Sequence, residues 1–139
     1  MIQTVAPPAG GRRVREVRYA GSREYYLVFS ELLRAARYRG LVSYRELASL
    51  MGFPGRGPEV RREHLEELLA LLGEIAREEF CHDRPPLGVL AVNGAGQPDL
   101  DFFYLLRELY EIDDWDPVQG FVEFWEALRG EVYATWAGS

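Results

Sequence analysis

The sequence predicts a mostly α-helical α+β domain. Apolar residues recur with the period of an α-helix in three long segments, and a short apolar run, Leu87–Val92, is typical of a buried strand. With 139 residues, of which 47% are hydrophobic, the chain can bury one core of ordinary size. We therefore expect a mobile basic arm over residues 1–21, which are rich in Pro, Gly and Arg, and a single domain over residues 22–139.

Helix boundaries follow from caps and breakers. Ser43 and Glu46 have the spacing of a capping box, which predicts the start of a short second helix. Gly40 and Gly52 end the first two helices, and Asp116–Pro117 predicts the start of a last, aromatic-rich helix. The predicted helices cover approximately residues 23–38, 44–51, 59–80, 102–110 and 117–136. The last two of these form a C-terminal helical pair.

Charge is divided unevenly along the chain, which has 16 arginines and no lysine. Residues 1–62 contain 12 Arg and 5 Glu, a net charge of +7, whereas residues 63–139 contain 4 Arg and 17 Asp or Glu, a net charge of −13. The guanidinium group is a planar fork that matches phosphate, so the basic half predicts a nucleic-acid partner. Four arginines of the arm are expected to contact the phosphate backbone: Arg12, Arg13, Arg15 and Arg18.

The centre of the chain has the order helix, short turn, helix, strand and turn, which is that of a winged helix-turn-helix. Residues 40–54, GLVSYRELASLMGFP, resemble the start of the DNA-binding domain of DNA alkyltransferases and alkyltransferase-like proteins. In that family a Val-Ser/Thr-Tyr segment opens the first helix of the helix-turn-helix. Residues 86–96 are similar to the family's later strand, which ends in Val-Asn and a Gly turn. Residues 41–136 also resemble a family of small uncharacterised bacterial proteins with the same order of elements, a resemblance that implies no activity.

The resemblance to the alkyltransferases implies binding of duplex DNA. Tyr44 matches the family's tyrosine that lies against the DNA backbone beside an extruded nucleotide; a half-buried side chain at the helix start is the other interpretation. Alkyl transfer is not implied, because the family's reactive Pro-Cys-His-Arg would fall near residues 87–90, which contain no Cys. The helix-turn-helix interpretation adds four arginines that would approach a groove beside Tyr44: Arg45, Arg56, Arg61 and Arg62.

The residue types predict a binding protein and not an enzyme. Without Lys, a Walker-type phosphate loop or a Schiff base cannot operate in its usual form. Cys81, His64 and His82 match neither a catalytic triad nor the paired ligands of a structural zinc site, so we expect no cofactor and no metal. A single Cys, the lack of an apolar leader and the lack of a membrane-spanning apolar run predict a soluble cytoplasmic protein.

The acidic second half leaves a different function open. A surface with this excess of carboxylates solubilises a protein, but it can also bind a basic partner or imitate the charge of DNA. The third predicted helix, which would enter the DNA groove, is itself acidic beyond its first turn. The alternative function is therefore a protein-interaction module, an adaptor or inhibitor that binds no nucleic acid. The sequence does not predict an oligomeric state.

Overall fold

The computed structural model describes residues 18–53, 60–112 and 119–137. Arg12, Arg13, Arg15 and Arg56, and the helix-start signal Asp116–Pro117, lie outside these ranges. Within them the chain forms helices α1 (Arg23–Arg37), α2 (Tyr44–Leu50), α3 (Arg62–Cys81), α4 (Leu100–Leu109) and α5 (Gln119–Trp136). Two-residue strands β1 (Val42–Ser43) and β2 (Ala91–Val92) complete the fold. The mostly helical α+β class is confirmed.

Local signals start the first two helices. The Ser22 hydroxyl accepts a hydrogen bond from the Tyr25 amide at 3.1 Å, which caps α1. Ser43 and Glu46 form the predicted capping box: the Ser43 hydroxyl accepts from the Glu46 amide at 3.0 Å, and the Glu46 carboxylate accepts from the Ser43 amide at 3.3 Å. Each bond satisfies an amide that the first helical turn leaves without a partner.

The ends of the first four helices share one geometry. In α1 the Gly40 amide donates to Ala35 O at 2.8 Å and the Arg39 amide donates to Ala36 O at 3.3 Å. This pair of bonds is a Schellman motif, which needs a left-handed residue after the cap and usually takes glycine there. The sequence predicts that Gly40 ends α1, but the left-handed residue is Arg39, with φ 56°. Asp83 and Glu111 occupy the same position after α3 and α4, and only α2 uses a glycine, Gly52.

The predicted strand over residues 87–92 is mostly a turn. Residues Leu87–Leu90 form one 3₁₀ turn, and only Ala91 and Val92 pair as a strand, in parallel with Val42 and Ser43 of β1. All of residues 87–92 are buried, and a short buried apolar run does not distinguish a strand from a turn. The carbonyl of Val89 accepts its hydrogen bond from the Trp125 indole at 2.7 Å and not from a neighbouring strand.

A wing of antiparallel strands is not present in the described ranges, where the only strand pairing is the parallel one. Asn93 forms the predicted turn: its side-chain oxygen accepts from the amides of Ala95 at 2.9 Å and Gln97 at 3.1 Å. The chain then enters α4 without a return strand. The winged helix-turn-helix therefore stays a prediction, because the described ranges contain no wing.

Helix α3 is the centre of the core. All residues from Leu68 to Ala76 except the half-buried Ala70 are buried, and α3 packs against α2, α4 and the 3₁₀ turn. A helix that enters a DNA groove must leave one face open to the nucleic acid. The exposed positions of α3 lie near its start, at Arg62, Glu63 and Glu66, and near its end, so its middle turns have no exposed residue to offer to a groove. No helix in the described part of the chain is both long and apolar enough to cross a bilayer.

Residues 18–20, which the sequence places in the mobile arm, are bound to α3. The amides of Arg18, Tyr19 and Ala20 all donate to the carboxylate of Glu74, at 2.9 to 3.1 Å. The Tyr19 hydroxyl also donates to the carboxylate of Glu67. Glu74 is itself buried, and three successive amides replace the water that its charge would otherwise need.

Candidate nucleic-acid interface

A groove of about 500 Å³ lies where the start of α2, the first turn of α3 and the turn after β2 meet. Two of the predicted site arginines, Arg45 and Arg62, line it together with Tyr44. The groove also contains the carboxylate residue Asp99 and apolar residues including Val60, so it is neither uniformly basic nor uniformly apolar. Three of the predicted site residues therefore line one groove, where they lie beside a carboxylate and apolar side chains.

Tyr44 is a core residue. Its side chain is only 2% exposed, and its hydroxyl accepts a hydrogen bond from the Asp99 amide at 2.7 Å. Burial, the largest cause, raises the pKa of Tyr44 above its ordinary value. The phenol is enclosed and its oxygen holds the start of α4 against α2, so the predicted contact with a DNA backbone would require the side chain to leave this position.

The replacement Tyr44→Phe is expected to lower the free energy of unfolding by about 1 kcal/mol, because the Asp99 amide loses its acceptor. Since the folded-state pKa of Tyr44 is raised, the stability that its neutral form contributes is complete below pH 10.0 and declines as the pH rises above that value. The stability difference between parent and variant should therefore shrink in alkaline solution, as measured by urea unfolding at several pH values. A difference that grows above this pH would contradict the assignment.

Arg61 and Arg62 lie among carboxylates. Arg62 is 3.5 Å from Glu66 and 3.4 Å from Asp99, and it also binds Asp101. Hydrogen bonding to Asp101, the first cause, raises the pKa of Arg62. Arg61 binds Glu63 in the same way. Two arginines and these four carboxylates give a local charge of 2 − 4 = −2, which disfavours an approaching phosphate.

Arg18 is the one arm arginine that the structure describes. Its guanidinium lies 3.5 Å from Glu67 and 5.3 Å from the centroid of the Tyr19 ring. The side chain is exposed, so this ion pair contributes little stability and a phosphate can compete for it.

A basic surface lies at the junction of α1 and α2, which we call the α1–α2 corner. It consists of five exposed residues: Arg34, Arg37, Tyr38, Arg39 and Arg45. Hydrogen bonding to Glu31 and, to a lesser extent, the charge of Glu46 raise the pKa of Arg34, so the first turn of α2 lies within electrostatic reach of α1. Four arginines against these two carboxylates give a local charge of 4 − 2 = +2, the opposite of the charge at the start of α3.

Sequence reasoning selected only Arg45 from this corner. The helical period placed Arg34 and Arg37 on the side of α1 opposite its apolar stripe, and this was the available signal for an exposed basic face. The position of Arg39 depends on the left-handed turn that ends α1, which no local pattern indicated.

The cysteine and the histidines do not converge. Cys81 and His82 are exposed at the end of α3, where the His82 Nδ1 lies 2.9 Å from Glu78 O, while the His64 ring stacks on Phe53 with centroids 4.2 Å apart. Among the residues with described positions, no group of three or more His, Cys, Asp or Glu side chains is arranged to hold a metal ion.

Comparison of the chain with protein-family models, with curated proteins and with solved structures gives no match. What the protein binds is therefore inferred from the charges and contacts of its own surface.

Proposed function

We propose that the protein binds nucleic acid through its phosphate backbone, without catalysis, on a scaffold related to the winged helix-turn-helix. The α1–α2 corner forms the fixed part of the interface, and Arg12, Arg13 and Arg15 supply further contacts. One observation supports this most directly: residues 34–45 carry four exposed arginines and no acidic residue. Neither Tyr44 nor the first turn of α3 belongs to the interface. We assign this function to the cytoplasm, where the exposed thiol of Cys81 would stay reduced.

The distribution of charge favours one orientation of the complex. Residues 63–139 carry a net charge of −13, so a polyanion is repelled from most of the surface that α3, α4 and α5 form. The α1–α2 corner, with its local charge of +2, is the basic exception. A nucleic acid would be steered to the corner by this field, and the association rate would fall as salt is added.

Arg39 takes the left-handed position at the end of α1. A left-handed conformation costs an L-residue roughly 1 kcal/mol that glycine does not lose. The side chain of Arg39 is exposed, and its guanidinium lies 5.9 Å from the centroid of the Tyr133 ring. Asp83 and Glu111 adopt the same backbone conformation elsewhere, so the proposal uses the exposed charge of Arg39 and not its backbone.

A salt titration of oligonucleotide binding tests the proposal. The double variant Arg37→Ala, Arg39→Gly should reduce the slope of log affinity against log salt by up to about 1.8 on a duplex, or about 0.9 for each lost phosphate contact, and by up to about 1.4 on a single strand. Its thermal midpoint should not fall, because Arg37 is exposed and glycine suits the left-handed position of residue 39. Fluorescence anisotropy and thermal unfolding measure the two quantities.

Matched controls separate contact from net charge. Arg23→Ala removes one positive charge, half of the charge that the double variant removes, at the other end of α1, about 20 Å away by helical rise, and should leave most of the slope intact. Asp83→Gly makes the equivalent backbone change at the end of α3 and should stabilise the fold without weakening binding. If the parent binds no oligonucleotide at about 50 mM salt, the proposed function is wrong.

A second function, binding of a basic protein segment, is favoured by a different surface. Leu100 and Val122 are exposed apolar residues that line one groove, of about 640 Å³, and Asp101, which is paired with Arg62, lies beside them. Tyr104, one turn further along α4, is also exposed and lines a neighbouring depression with Glu108. Apolar side chains flanked by carboxylates suit an amphipathic basic segment. This function predicts that the parent fails to bind oligonucleotides while Leu100→Asp abolishes capture of its partner.

A further inference from the structure

Tyr38 is the most exposed large hydrophobic side chain in the described ranges, with 79% of its surface open to solvent. It caps the end of α1, directly between Arg37 and Arg39, and Arg34 lies one helical turn before it. No ring contact or hydrogen bond of its side chain occurs within the part of the chain that the structure describes. An aromatic ring in this position contributes nothing visible to the core, so its flat face is available to a ligand.

The backbone beneath Tyr38 is held in place. The Tyr38 amide donates to Arg34 O at 3.2 Å, and the Schellman bonds fix the two residues that follow. The Tyr133 hydroxyl of α5 donates to Gly40 O at 2.7 Å, which secures the turn from the far end of the chain. The ring therefore projects from a braced helix end, and little backbone ordering is needed when a ligand stacks on it.

We propose that the corner prefers a single strand of nucleic acid, with one unpaired base stacked on the ring of Tyr38 while the flanking arginines contact phosphates. This inference rests on the proposed function and names its substrate class. In a duplex, each base is already stacked between its neighbours, whereas a single strand can offer the face of a base to a protruding aromatic ring. Arginines interleaved with an exposed aromatic ring are the chemistry of single-strand recognition. The target is an unpaired base in DNA or RNA, since stacking tolerates any base.

Anisotropy with fluorescent oligonucleotides of about 16 nucleotides tests the stacking step. The parent should bind oligothymidine more tightly than an abasic strand of the same length and charge, by about 5- to 150-fold. Tyr38→Ala should bind oligothymidine as weakly as the abasic strand, while its affinity for the abasic strand stays that of the parent. Tyr38→Ala should lose affinity for oligouridine in the same way. This measurement tests whether unpaired bases of RNA stack on Tyr38 as those of DNA do.

Two further variants fix the interpretation. Tyr38→Phe keeps the ring and should retain the preference for bases. Tyr26→Ala removes another exposed tyrosine of α1, 63% open to solvent, and should change nothing. The side chains of Tyr38 and Tyr26 are both exposed, so the thermal midpoints of these variants should match that of the parent.

The outcomes distinguish the two proposals. If Tyr38→Ala binds oligothymidine as the parent does, while the Arg37, Arg39 double variant loses affinity for every strand, the stacking inference is overturned and phosphate binding stands. A duplex that binds more tightly than oligothymidine also overturns the stacking inference. If the parent binds no strand at low salt, both proposals fall together.

Discussion

Replacing Arg84 by Ala is expected to lower the free energy of unfolding by about 3 kcal/mol. The carboxylate of Glu79 is only 1% exposed, and its Oε1 accepts from Arg84 Nε at 2.9 Å and Arg84 Nη2 at 2.7 Å. Its Oε2 has no hydrogen-bond partner in the described residues. Without Arg84 the buried carboxylate would have neither solvent nor a counterion beside it. Urea unfolding measures the resulting loss of stability.

A second arginine supplies the control for burial. Arg34 also donates to a glutamate, Glu31, at 2.7 Å, but this pair is exposed, so Arg34→Ala should cost no more than about 1 kcal/mol. Adding Glu79→Leu to Arg84→Ala should recover part of the stability, because the uncompensated charge is then absent. A double variant that is less stable than Arg84→Ala would show that charge is not the cause.

The replacement Glu74→Ala is expected to cost about 2 kcal/mol and to detach residues 18–20 from α3. The Glu74 carboxylate is the shared acceptor for the amides of Arg18, Tyr19 and Ala20, so its loss leaves three donors without a charged partner. Hydrogen exchange at these amides should accelerate more than exchange in the middle of α3.

The neighbouring carboxylates test this attachment. Glu74→Gln keeps one acceptor oxygen and should give a smaller loss of stability. Glu78→Ala removes an exposed carboxylate of the same helix and should change stability by no more than about 0.5 kcal/mol. Unchanged exchange at residues 18–20 in Glu74→Ala would mean that another contact holds them.

The sequence predicted those parts of the fold that depend on neighbours in the chain. The capping box of Ser43 and Glu46 is local, and it gave the start of α2 at Tyr44. The first helix, predicted over residues 23–38, is observed as Arg23–Arg37, because its apolar stripe has a clear helical period. The third helix was predicted from residue 59 and is described from Arg62.

The candidate site was harder to predict because its partners are distant in sequence. The Tyr44 hydroxyl accepts a hydrogen bond from the amide of Asp99, 55 residues away, and no pattern near Tyr44 indicates that bond. Arg62 meets Asp99 and Asp101 across 37 and 39 residues, so it looked available for phosphate when only its neighbours were considered. Charge counting located the basic half of the chain, but tertiary pairing placed Arg62 of that half among carboxylates.

The bond between Tyr133 and Gly40 joins residues 93 positions apart and has a consequence for biosynthesis. Helix α1 and the start of α2 emerge early from the ribosome, yet the turn between them receives this brace only from α5. The indole of Trp125, also in α5, reaches Val89 across 36 residues in the same late step. Contacts of such long range form slowly and after local helices. We therefore expect a nascent chain that lacks α5 to contain a helical α1 but no rigid corner, so that ligand binding begins only after the last helix has docked.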